Sequence, residues 1–559
     1  MTQSPVSNST DLFFVPLGGL GEIGMNAALY GLGRGRNAQW LMVDVGVSFG
    51  GADTPGVDLI LPDTSFIEKE RKNLAGIIIT HAHEDHFGAL ATLWPKLGAP
   101  VYMTQFAANL LEVRRLQEPG APKIPVRIVK QGDRVKIGDF EVEFIAVAHS
   151  VPESCALAIR TAAGTVIHTG DWKTDPTPGV GLPTDEKRLR EIGDEGVLAM
   201  VADSTNIFRE GVSPSEADVA KTMAALIAAS PARVAVTTFA SNVARMRSVA
   251  EAALTCGREV VCVGRAMDRV FQVASELGMF KGLPPFRATE AYGYLPPDKV
   301  VALLTGSQGE PRAALARIAR NDHPDVTLAK GDRVIFSSRT IPGNEKEVGA
   351  IINGLYRQGI DVITDRTHLV HVSGHPRRDE VQRLYGWVRP KVAIPAHGET
   401  AHLTEHATFA KAQGVPHVFR AFNGEVVQLS GEPGIVDQVH SGRIFKDGDL
   451  LIQATDRTVP ERKKLSFAGI VSLAIAMDEK GTLMSDAEVM TAGLPLRTSD
   501  GEDFDAFILE TAEELLENLP KAKRRDPDAV RNILERGLRN AISQEWNKKP
   551  VCHVLVTLV

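Results

Sequence analysis

The sequence predicts an α/β fold in which a β-sheet sandwich flanked by helices receives an inserted α/β domain and is followed by a small α+β domain. Residues 12–175 show short apolar strands between glycine turns, such as WLMVDVG and EVEFIAVAHS. Residues 209–365 instead alternate helical patterns with buried strands, as in SEADVAKTMAALIAAS before RVAVTTFA. The pattern of the first region resumes at KVAIPAHGE, so the second domain interrupts the first.

The length of the chain requires several hydrophobic cores. At about 150 residues per domain, 559 residues would form three or four domains. We predict a sandwich formed by residues 1–208 and 366–450, with an inserted domain at 209–365. A polar linker at 451–464 and a C-terminal domain at 465–559 follow. In the last of these, FAGIVSLAIAMD and VCHVLVTLV are strand-like, whereas DAFILETAEELLENL and PDAVRNILERGLRNAISQEW have apolar residues at helical spacing.

Composition excludes some classes of protein and leaves others open. With 43% hydrophobic residues the chain has enough apolar surface to fold, which excludes disorder of the whole chain. A formal net charge of −7 is not typical of proteins that bind polyanions. It does not exclude such a ligand, since net charge says nothing about a single groove and bound divalent metals would add positive charge.

The cysteines and the apolar segments indicate the compartment. The four cysteines, Cys155, Cys256, Cys262 and Cys552, include no CxxC pair, which predicts neither a disulfide framework nor a thiolate zinc knuckle. The N-terminus lacks a basic region followed by a long apolar run, and no segment reaches about 18 uninterrupted apolar residues. We therefore expect a protein of the reducing cytoplasm that is neither exported nor membrane-spanning.

The segment GIIITHAHEDHFGAL places His81, His83, Asp85 and His86 directly after a buried strand. Imidazole nitrogen and carboxylate oxygen bind zinc at about 2.0–2.2 Å, and a tight turn lets neighbouring residues converge. His81 and His83 can share one ion, while Asp85 and His86 can face a second ion about 3.5–4 Å away. The alternative is a solvated loop whose histidines occur by chance, and the spacing favours the two-metal site.

The HxHxDH pattern is the signature of the metallo-β-lactamase superfamily, and the chain resembles that family at further positions. The resemblance implies His149 and His397 as additional metal ligands and Asp171 as the ligand that bridges two ions. It implies that Asp44 orients ligand imidazoles by accepting their free N–H. It also implies two divalent ions, zinc first and manganese or magnesium as alternatives, whose activated hydroxide attacks the substrate, with Asp85 among the catalytic residues.

The long insertion between Asp171 and His397 resembles the β-CASP group of this superfamily, whose members act on nucleic acids. Two further residues match that group: Asp203 in VADSTN and His375 in HVSGH. The resemblance implies a hydrogen-bonded pair in which Asp203 keeps His375 charged. His375 can then protonate the leaving 3′ oxygen as a general acid.

Within the group the chain resembles the ribonuclease J family. The motifs that carry the resemblance are, in order, GGLGEIGMN, DVGVSF, HSVPES, TGDWKTDPTP, ADSTN, TGSQGEP, SSRTIPGNE, HVSGH and PAHGE. The resemblance is close from residue 12 to about 450 and weaker in the tail. Two places depart from the family pattern: Met25, where lysine is commoner, and PRRDE after HVSGH.

That family resemblance implies a processive 5′-to-3′ exonuclease on 5′-monophosphorylated RNA, with some endonuclease activity and release of nucleoside 5′-monophosphates. It implies single-stranded RNA as the partner, in mRNA decay and rRNA processing. It also implies a homodimer or homotetramer, self-association through the C-terminal domain, and partners in RNA degradation or on the ribosome.

Several residues are candidates for contacts with RNA. Ser373, Gly374 and His375 could hold the terminal phosphate, because glycine lets backbone N–H groups approach an anion and serine adds a donor. Phe49 could stack on a base, with packing in the core as the alternative. Of the arginines in the insertion, we expect Arg339 to bind a phosphate. Most of the others, Arg245, Arg247, Arg265 and Arg269, are expected to be ordinary surface charges.

Two functions from other classes compete with the nuclease. An inactive RNA-binding or scaffolding protein is one, and the full set of seven metal ligands argues against it. A small-molecule hydrolase is the other, since a two-metal centre alone does not name a substrate. The inserted domain, together with Asp203 and His375, counts against that second alternative.

Overall fold

Two β-sheets hold the segments that the sequence singles out for metal binding. The computed structural model describes residues 11–34, 38–341 and 343–559. The chain divides into two units, one of Met1–Ser48 with Leu61–Arg443 and one of Phe49–Ile60 with Ile444–Val559. Both sheets belong to the first unit.

The first sheet has eight strands and is mixed. Its hydrogen-bonded order is β24 (Gly434–Gln438), β23 (Glu425–Gln428), β1 (Leu12–Gly18), β3 (Ala27–Leu32), β4 (Gln39–Val43), β7 (Leu74–Ile78), β8 (Val101–Met103) and β9 (Val126–Ile128). The strands from β24 to β4 pair antiparallel, and those from β4 to β9 pair parallel.

The second sheet has seven strands. Its order is β10 (Arg134–Ile137), β11 (Phe140–Ala146), β12 (Cys155–Thr161), β13 (Gly164–His168), β14 (Ala199–Asp203), β20 (Val392–Ala396) and β22 (His417–Val418). The first four strands pair antiparallel, and β13, β14, β20 and β22 pair parallel. A short parallel pair, β2 (Leu20–Gly21) with β21 (Gly398–Glu399), stands apart from both sheets.

One hydrophobic core lies between the two sheets, because side chains from both enter the same buried cluster. Phe14 and Leu41 come from the first sheet, and Phe144 and Leu157 come from the second. Next to Phe144, Ile145 belongs to a different cluster shared with helices, as the period of two along a strand requires. The second sheet is therefore buried on both faces.

Helices accompany both sheets of the sandwich. Those of the first half are α1 (Ser65–Lys69), α2 (Glu84–Phe87), α3 (Leu90–Leu97), α4 (Gln105–Gln117) and a 3-10 helix at Arg71–Asn73. Those packed on the second sheet through Leu189, Leu384 and Phe409 are α5 (Glu186–Glu195), α11 (Arg378–Val388) and α12 (Thr400–Ala412). Helix, sheet, sheet and helix are thus layered as the sequence predicts.

The insertion contains a five-stranded parallel sheet. Its order is β16 (Glu259–Val263), β17 (Val300–Leu304), β15 (Val234–Thr237), β18 (Arg333–Phe336) and β19 (Asp361–Ile363). Its helices are α6 (Glu216–Ala228), α7 (Val243–Thr255), α8 (Arg265–Glu276), α9 (Ala314–Ala319), α10 (Glu345–Arg357) and 3-10 helices at Thr289–Tyr294 and Pro297–Lys299. A core of its own joins Leu304 and Phe336 to Leu315 and Leu355.

The insertion leaves and rejoins the sandwich at neighbouring strands. β14 ends at Asp203, and β20, which pairs with it in parallel from Ala199↔Val392 to Asp203↔Ala396, begins after the insertion. Because the two strands are parallel, β20 begins at the edge of the second sheet opposite to the one where β14 ends, and α11 precedes it in the chain. The proposed boundaries at 208/209 and 365/366 remain predictions.

The second unit contains the C-terminal elements. A three-stranded sheet in the order β28 (Glu488–Ala492), β27 (Ile470–Met477) and β29 (Val551–Leu558) packs Leu473 and Val554 against α14 (Phe504–Glu517) and α16 (Pro527–Trp546). The two strands and two helices predicted in this region are confirmed. The unit also has α13 (Thr458–Ala468), α15 (Lys521–Arg524) and a sheet in the order β26 (Leu450–Gln453), β25 (Arg443–Asp447), β6 (Leu59–Pro62) and β5 (Ser48–Phe49).

The structure differs from the sequence prediction at the linker. Residues 451–464 form most of β26 and the first half of α13 rather than an irregular connection. Only Val459 and Ala468 of α13 are buried. Its polar sequence therefore almost lacks the apolar residues at helical spacing that would predict a helix.

Candidate metal centre

Loops at the carboxyl ends of strands bring the predicted ligands together. His81 and His83 follow β7, and Asp85 and His86 lie in the first turn of α2. The other three, His149, Asp171 and His397, follow β11, β13 and β20. A buried sheet fixes each strand end, so side chains on these loops can be aimed at one point.

Four ligand atoms form a first group. His83 Nδ1 lies 3.2 Å from His81 Nε2 and 3.0 Å from His149 Nε2. Asp171 Oδ2 lies 3.6 Å from both His81 Nε2 and His149 Nε2. Separations of this size suit four donors that surround one cation at bond lengths of about 2.0–2.2 Å.

A second group shares Asp171 with the first and adds Asp85, His86 and His397. Asp171 Oδ2 is 3.3 Å from His86 Nε2, and Asp85 Oδ2 is 3.3 Å from His397 Nε2. His397 is buried, and the Asp85 carboxylate, another donor of this group, is what faces its Nε2; no well-aligned hydrogen bond to that nitrogen is found among the residues that the structure describes. Buried polar atoms are normally satisfied, so this nitrogen is free to bind a cation. A third group, of Asp171, Asp203, His375 and His397, overlaps the second.

The outward nitrogens of the imidazoles are held by the sandwich. His86 Nδ1 donates to Asp44 Oδ2 over 2.7 Å. The Thr80 hydroxyl donates to the same carboxylate over 2.9 Å and accepts from His81 Nδ1 over 3.0 Å. His149 Nδ1 donates to the Gly374 carbonyl over 2.7 Å. Such partners fix the tautomer of a ligand and the direction of its ring.

Backbone strain at two strand ends helps to aim these side chains. Asp44 and His397 are in the left-handed region, with φ of 63° and 51°. For a residue other than glycine this conformation costs on the order of 1–3 kcal/mol and persists only where the surroundings hold it. Gly46 adds a close approach, because a Cβ there would lie 1.8 Å from the Asp85 carbonyl oxygen. The loop after Asp44 is therefore packed directly against the ligand loop.

The electrostatics of the cluster fit bound cations. Burial lowers the pKa of His81 and His149 well below the usual value, so both rings are neutral, the form that binds metal. Burial opposes a charge on His86, yet the nearby carboxylates, first that of Asp171, outweigh it and raise its pKa well above normal. The carboxylates thus demand positive charge at the centre of the cluster, which divalent cations supply.

Asp203 and His375 lie beside the second group. His375 Nδ1 donates to Asp203 Oδ2 over 2.8 Å, and the His375 ring centre is 5.4 Å from that of His397. Burial disfavours a charge on His375, but Asp203 and then Asp171 outweigh it and raise the His375 pKa. Asp203 is itself fixed, since its Oδ1 accepts from Thr205 N over 2.8 Å.

Protein-family models identify the two parts of this unit and the C-terminal region. A model described as Metallo-beta-lactamase superfamily matches residues 26–264, and one described as Zn-dependent metallo-hydrolase RNA specificity domain matches 359–419. Models described as Ribonuclease J, beta-CASP domain and as Ribonuclease J C-terminal domain match 231–355 and 457–559. A Sinorhizobium meliloti protein named Ribonuclease J is 51% identical over 555 residues, which cover 99% of this chain and 98% of that one. The chain belongs to the ribonuclease J family.

Other ribonuclease J proteins agree over nearly the full length. The Mycolicibacterium smegmatis protein is 38% identical over 547 residues, which cover 96% of this chain and 95% of that one. The Corynebacterium glutamicum protein is 36% identical over 557 residues, covering 99% and 76%. The metallo-β-lactamase sandwich with a β-CASP insertion and a ribonuclease J C-terminal domain is therefore confirmed, and with it a metal-dependent ribonuclease family.

One solved structure supports the fold alone. It is described as the crystal structure of a protein of unknown function from Enterococcus faecalis V583, and it superposes with a TM-score of 0.53 at 14% identity. The match covers 75% of this chain and all of the other. In the described part of the chain, no helix is long and apolar enough to cross a membrane.

Some of the residues predicted to contact RNA lie outside the ligand groups of this ribonuclease J family member. Arg339 is paired with Asp365 over 3.5 Å and is not in either ligand group. Phe49 lies on β5 in the second unit and is 65% exposed, so packing in the core is not its role. Arg245, expected to be a surface charge, is fully buried, and Glu216 Oε2 pairs with it over 2.9 Å.

Histidines that the sequence left out of the centre have other partners. His168 Nδ1 pairs with the Tyr30 hydroxyl over 2.9 Å, and His406 lies between Ser204 and Tyr385. Glu84, inside the ligand motif, pairs with Arg114.

No sequence pattern pointed to Thr80 or to Asn206. Thr80 serves both Asp44 and His81. Asn206 Nδ2 donates to Ser373 Oγ over 2.9 Å and to the His375 carbonyl over 3.1 Å. Asparagine and threonine next to a motif are common in turns, so neither could be separated from a turn residue without coordinates.

Proposed function

We propose that this ribonuclease degrades and processes single-stranded RNA from 5′-monophosphorylated ends in the 5′-to-3′ direction, with some endonuclease activity, and releases nucleoside 5′-monophosphates. The observation that carries the proposal is the position of Ser373–His375 against the ligand groups. Gly374 accepts a hydrogen bond from the ligand His149, and the ring centres of His375 and His149 are 5.2 Å apart. A terminal phosphate held by this segment would put the next phosphodiester at the ligand groups.

The segment has the donors that a phosphate needs. Ser373 Oγ accepts from Asn206 Nδ2 over 2.9 Å and from His375 N over 3.2 Å, so its own O–H is left to donate to an anion. Gly374 must lack a side chain, because a Cβ there would lie 2.5 Å from His149 Cε1. A charged His375 adds attraction for the terminal phosphate.

We assign the two ligand groups to two divalent cations, zinc first, with manganese or magnesium as alternatives. The fit of mixed imidazole and carboxylate donors supports zinc, as does the description of the family model over residues 359–419. When bound, the cations stabilise charge on the scissile phosphate and lower the pKa of water. The ligands would be His81, His83, His149 and Asp171 for one cation, and Asp85, His86, Asp171 and His397 for the other.

Proton transfer is the work of the residues around the ligand groups. Because His375 Nδ1–H donates a hydrogen bond to Asp203, the proton on Nε2 is the one available for the leaving 3′ oxygen. Asp85 has 29% of its side chain exposed, against 2% for Asp171, so water can reach it. We therefore propose Asp85 as the carboxylate that contacts the attacking water and His375 as the general acid, with Asp203 keeping His375 protonated.

A basic cluster next to this segment is proposed to hold the RNA backbone. Burial, with the charges of Arg339 and Arg377, lowers the pKa of Arg209, so Arg209 lies near both of the other guanidinium groups. Asp365 is the carboxylate paired with Arg339, which leaves net positive charge for a phosphate. Arg377 belongs to the PRRDE segment that departs from the family pattern. Phe49, being exposed, is kept as a candidate to stack on a base.

We also propose a homodimer or homotetramer in the cytoplasm, with partners in RNA degradation or on the ribosome. All four cysteines are free thiols, and three of them are buried, which supports a reducing compartment. Light scattering of the purified protein would measure its mass in solution. A monomer at micromolar concentration would contradict the oligomer.

The test compares end-labelled RNA with a 5′-monophosphate and with a 5′-triphosphate, with and without a chelator. We expect mononucleotides from the monophosphorylated RNA, little product from the triphosphorylated one, and none after the metal is removed. Ser373→Ala should narrow the difference in cleavage rate between the 5′-monophosphorylated and 5′-triphosphorylated RNA, while Ser248→Ala, whose hydroxyl donates to the Ala244 carbonyl, should not. Cleavage that survives complete removal of metal, or that ignores the 5′ end, would contradict the proposal.

A further inference from the structure

The inserted domain contributes one hydrogen bond to a proposed metal ligand. Ser241, in the turn between β15 and α7, places its Oγ 3.1 Å from His83 Nε2. The outward nitrogens of His81, His86 and His149 have partners from the sandwich, as described above, and His397 Nδ1 donates to the carboxylate of Asp171 over 2.7 Å. His83 is therefore the ligand whose orientation depends on the insertion.

The direction of the His83 ring makes this contact informative. Its Nδ1 is the atom that faces the other donors, at 3.2 Å from His81 Nε2 and 3.0 Å from His149 Nε2. The proton of the neutral ring must then be on Nε2, where the Ser241 oxygen accepts it. By accepting from Nε2–H, the hydroxyl thus stabilises the tautomer that leaves Nδ1 free for a cation.

The turn that presents Ser241 is held firmly. Its carbonyl accepts from Val243 N over 3.0 Å, and the Asn242 side chain caps α7 by accepting from Arg245 N over 2.9 Å. Arg245 is in turn fixed by two bonds to Glu216, at 2.9 and 3.1 Å, and these side chains are buried. The position of Ser241 is therefore set by the base of the insertion and not by a mobile surface loop.

We propose that Ser241 is a positioning residue through which the inserted domain controls the affinity of one of the two metal sites. The affected site is the group of His81, His83, His149 and Asp171, and the group around His397 is independent of Ser241. With the insertion seated on the sandwich, His83 is locked; a displacement of the insertion releases the ring and weakens that site. The proposal rests on the proposed function only in assigning a cation to each group.

The experiment titrates full-length, metal-free protein with Zn²⁺ in competition with a chromophoric chelator, and with Co²⁺ followed by its visible absorption. In Ser241→Ala one equivalent of Zn²⁺ should bind about tenfold more weakly or worse, which is the usual effect of removing such a partner. The other equivalent should keep its affinity, and the Co²⁺ spectrum of the weakened site should change. Ser241→Thr keeps the hydroxyl and should restore binding.

Ser248→Ala is the matched control, since it removes a serine hydroxyl from the same domain without touching a ligand. If Ser241→Ala binds both equivalents as the parent does, the proposal is wrong. The same holds if only the KM for RNA rises, because Ser241 would then contact substrate. The titration contains no RNA, so a failure of the proposed RNA-end specificity would leave this result intact and would be recognised separately.

Discussion

Two buried polar clusters of the first unit differ in how their charges are balanced. At the base of the insertion, Lys173 Nζ lies 2.9 Å from Asp175 Oδ2, and Arg245 is paired with Glu216 over 2.9 Å. The four side chains are at most 1% exposed, and two positive groups face two negative ones. This cluster is closed, because each charge has its partner inside the protein.

The ligand cluster is open by the same measure. Burial holds His81 and His149 neutral, whereas the carboxylates, first that of Asp171, raise the pKa of His86 and of His397, so this cluster balances its charge by protonating proposed ligands. His397 Nε2 faces the Asp85 carboxylate over 3.3 Å, and both groups are proposed ligands. A buried cluster of permanent, opposite charges stabilises an architecture, whereas one whose ligand nitrogens must be protonated to offset its carboxylates is suited to binding cations.

The largest effect should come from removing a ligand of the open cluster. Asp85→Ala takes away a donor of one cation and the proposed contact to water, so we expect RNA cleavage to fall by more than about 1,000-fold. Glu84→Ala, in the same motif but paired with Arg114, should stay near the parent rate. Single-turnover cleavage of 5′-monophosphorylated RNA measures both variants, and an active Asp85→Ala enzyme would remove Asp85 from the chemistry.

Breaking the closed cluster should affect stability instead. Arg245→Met leaves the Glu216 carboxylate buried without its partner, which should lower the free energy of unfolding by about 3–5 kcal/mol. Arg245→Met with Glu216→Gln should recover part of this loss, because no charge is then left uncompensated. Urea unfolding of the metal-free protein measures both. A double variant as unstable as the single one would show that the pair is not the source of the stability.

The Asp203–His375 pair shares features of both clusters, since it is an internal ion pair next to the ligand groups. Breaking this pair should slow catalysis without loss of metal. Asp203→Asn should lower kcat by about 100-fold. The acid works while His375 is protonated, so activity is lost as pH rises through its raised pKa. Without the Asp203 carboxylate that pKa falls, and the alkaline limb of the pH–kcat profile should move to lower pH. Asp361→Asn, which loses a surface pair with Arg333, should leave the profile in place.

The smallest effect should come from the basic cluster outside the ligand groups. Arg339→Ala removes one proposed phosphate contact, so RNA affinity should fall modestly and the salt dependence of log K should lose about one unit of slope. Arg320→Ala, an exposed arginine paired with Asp322, is the control. If log K for RNA depended on salt concentration with the same slope in the two variants, Arg339 would not contact an RNA phosphate.

The residues that sequence could place are those with a local pattern. The HAHEDH segment lies on one turn, so its spacing alone predicts the first four ligands. The short apolar strands between turns predict both sheets of the sandwich. His149, Asp171 and His397 have no such pattern, and only the resemblance to a known family pointed to them. The structure brings all seven into two overlapping groups of donor atoms.

The remaining residues depend on contacts between distant segments. Ser241 and His83 are 158 positions apart, and Arg245 meets Glu216 only because α6 and α7 pack together. No spacing rule links such pairs, so Arg245 looked like a surface charge. The helix over the predicted linker was missed for another reason, since it buries two side chains and has too few apolar positions to show a period.

The adjacency of β14 and β20 also bears on how the molecule assembles. The two strands are hydrogen-bonded neighbours although the whole insertion separates them along the chain. Joining the ends of a long unstructured segment costs chain entropy, and long-range pairing of this kind is slow. We therefore expect the insertion to condense first and β20 to dock afterwards. His397 directly follows β20, so the pocket for the second cation would be completed at the last stage of folding. Binding of metal at that pocket would then require the fully folded protein.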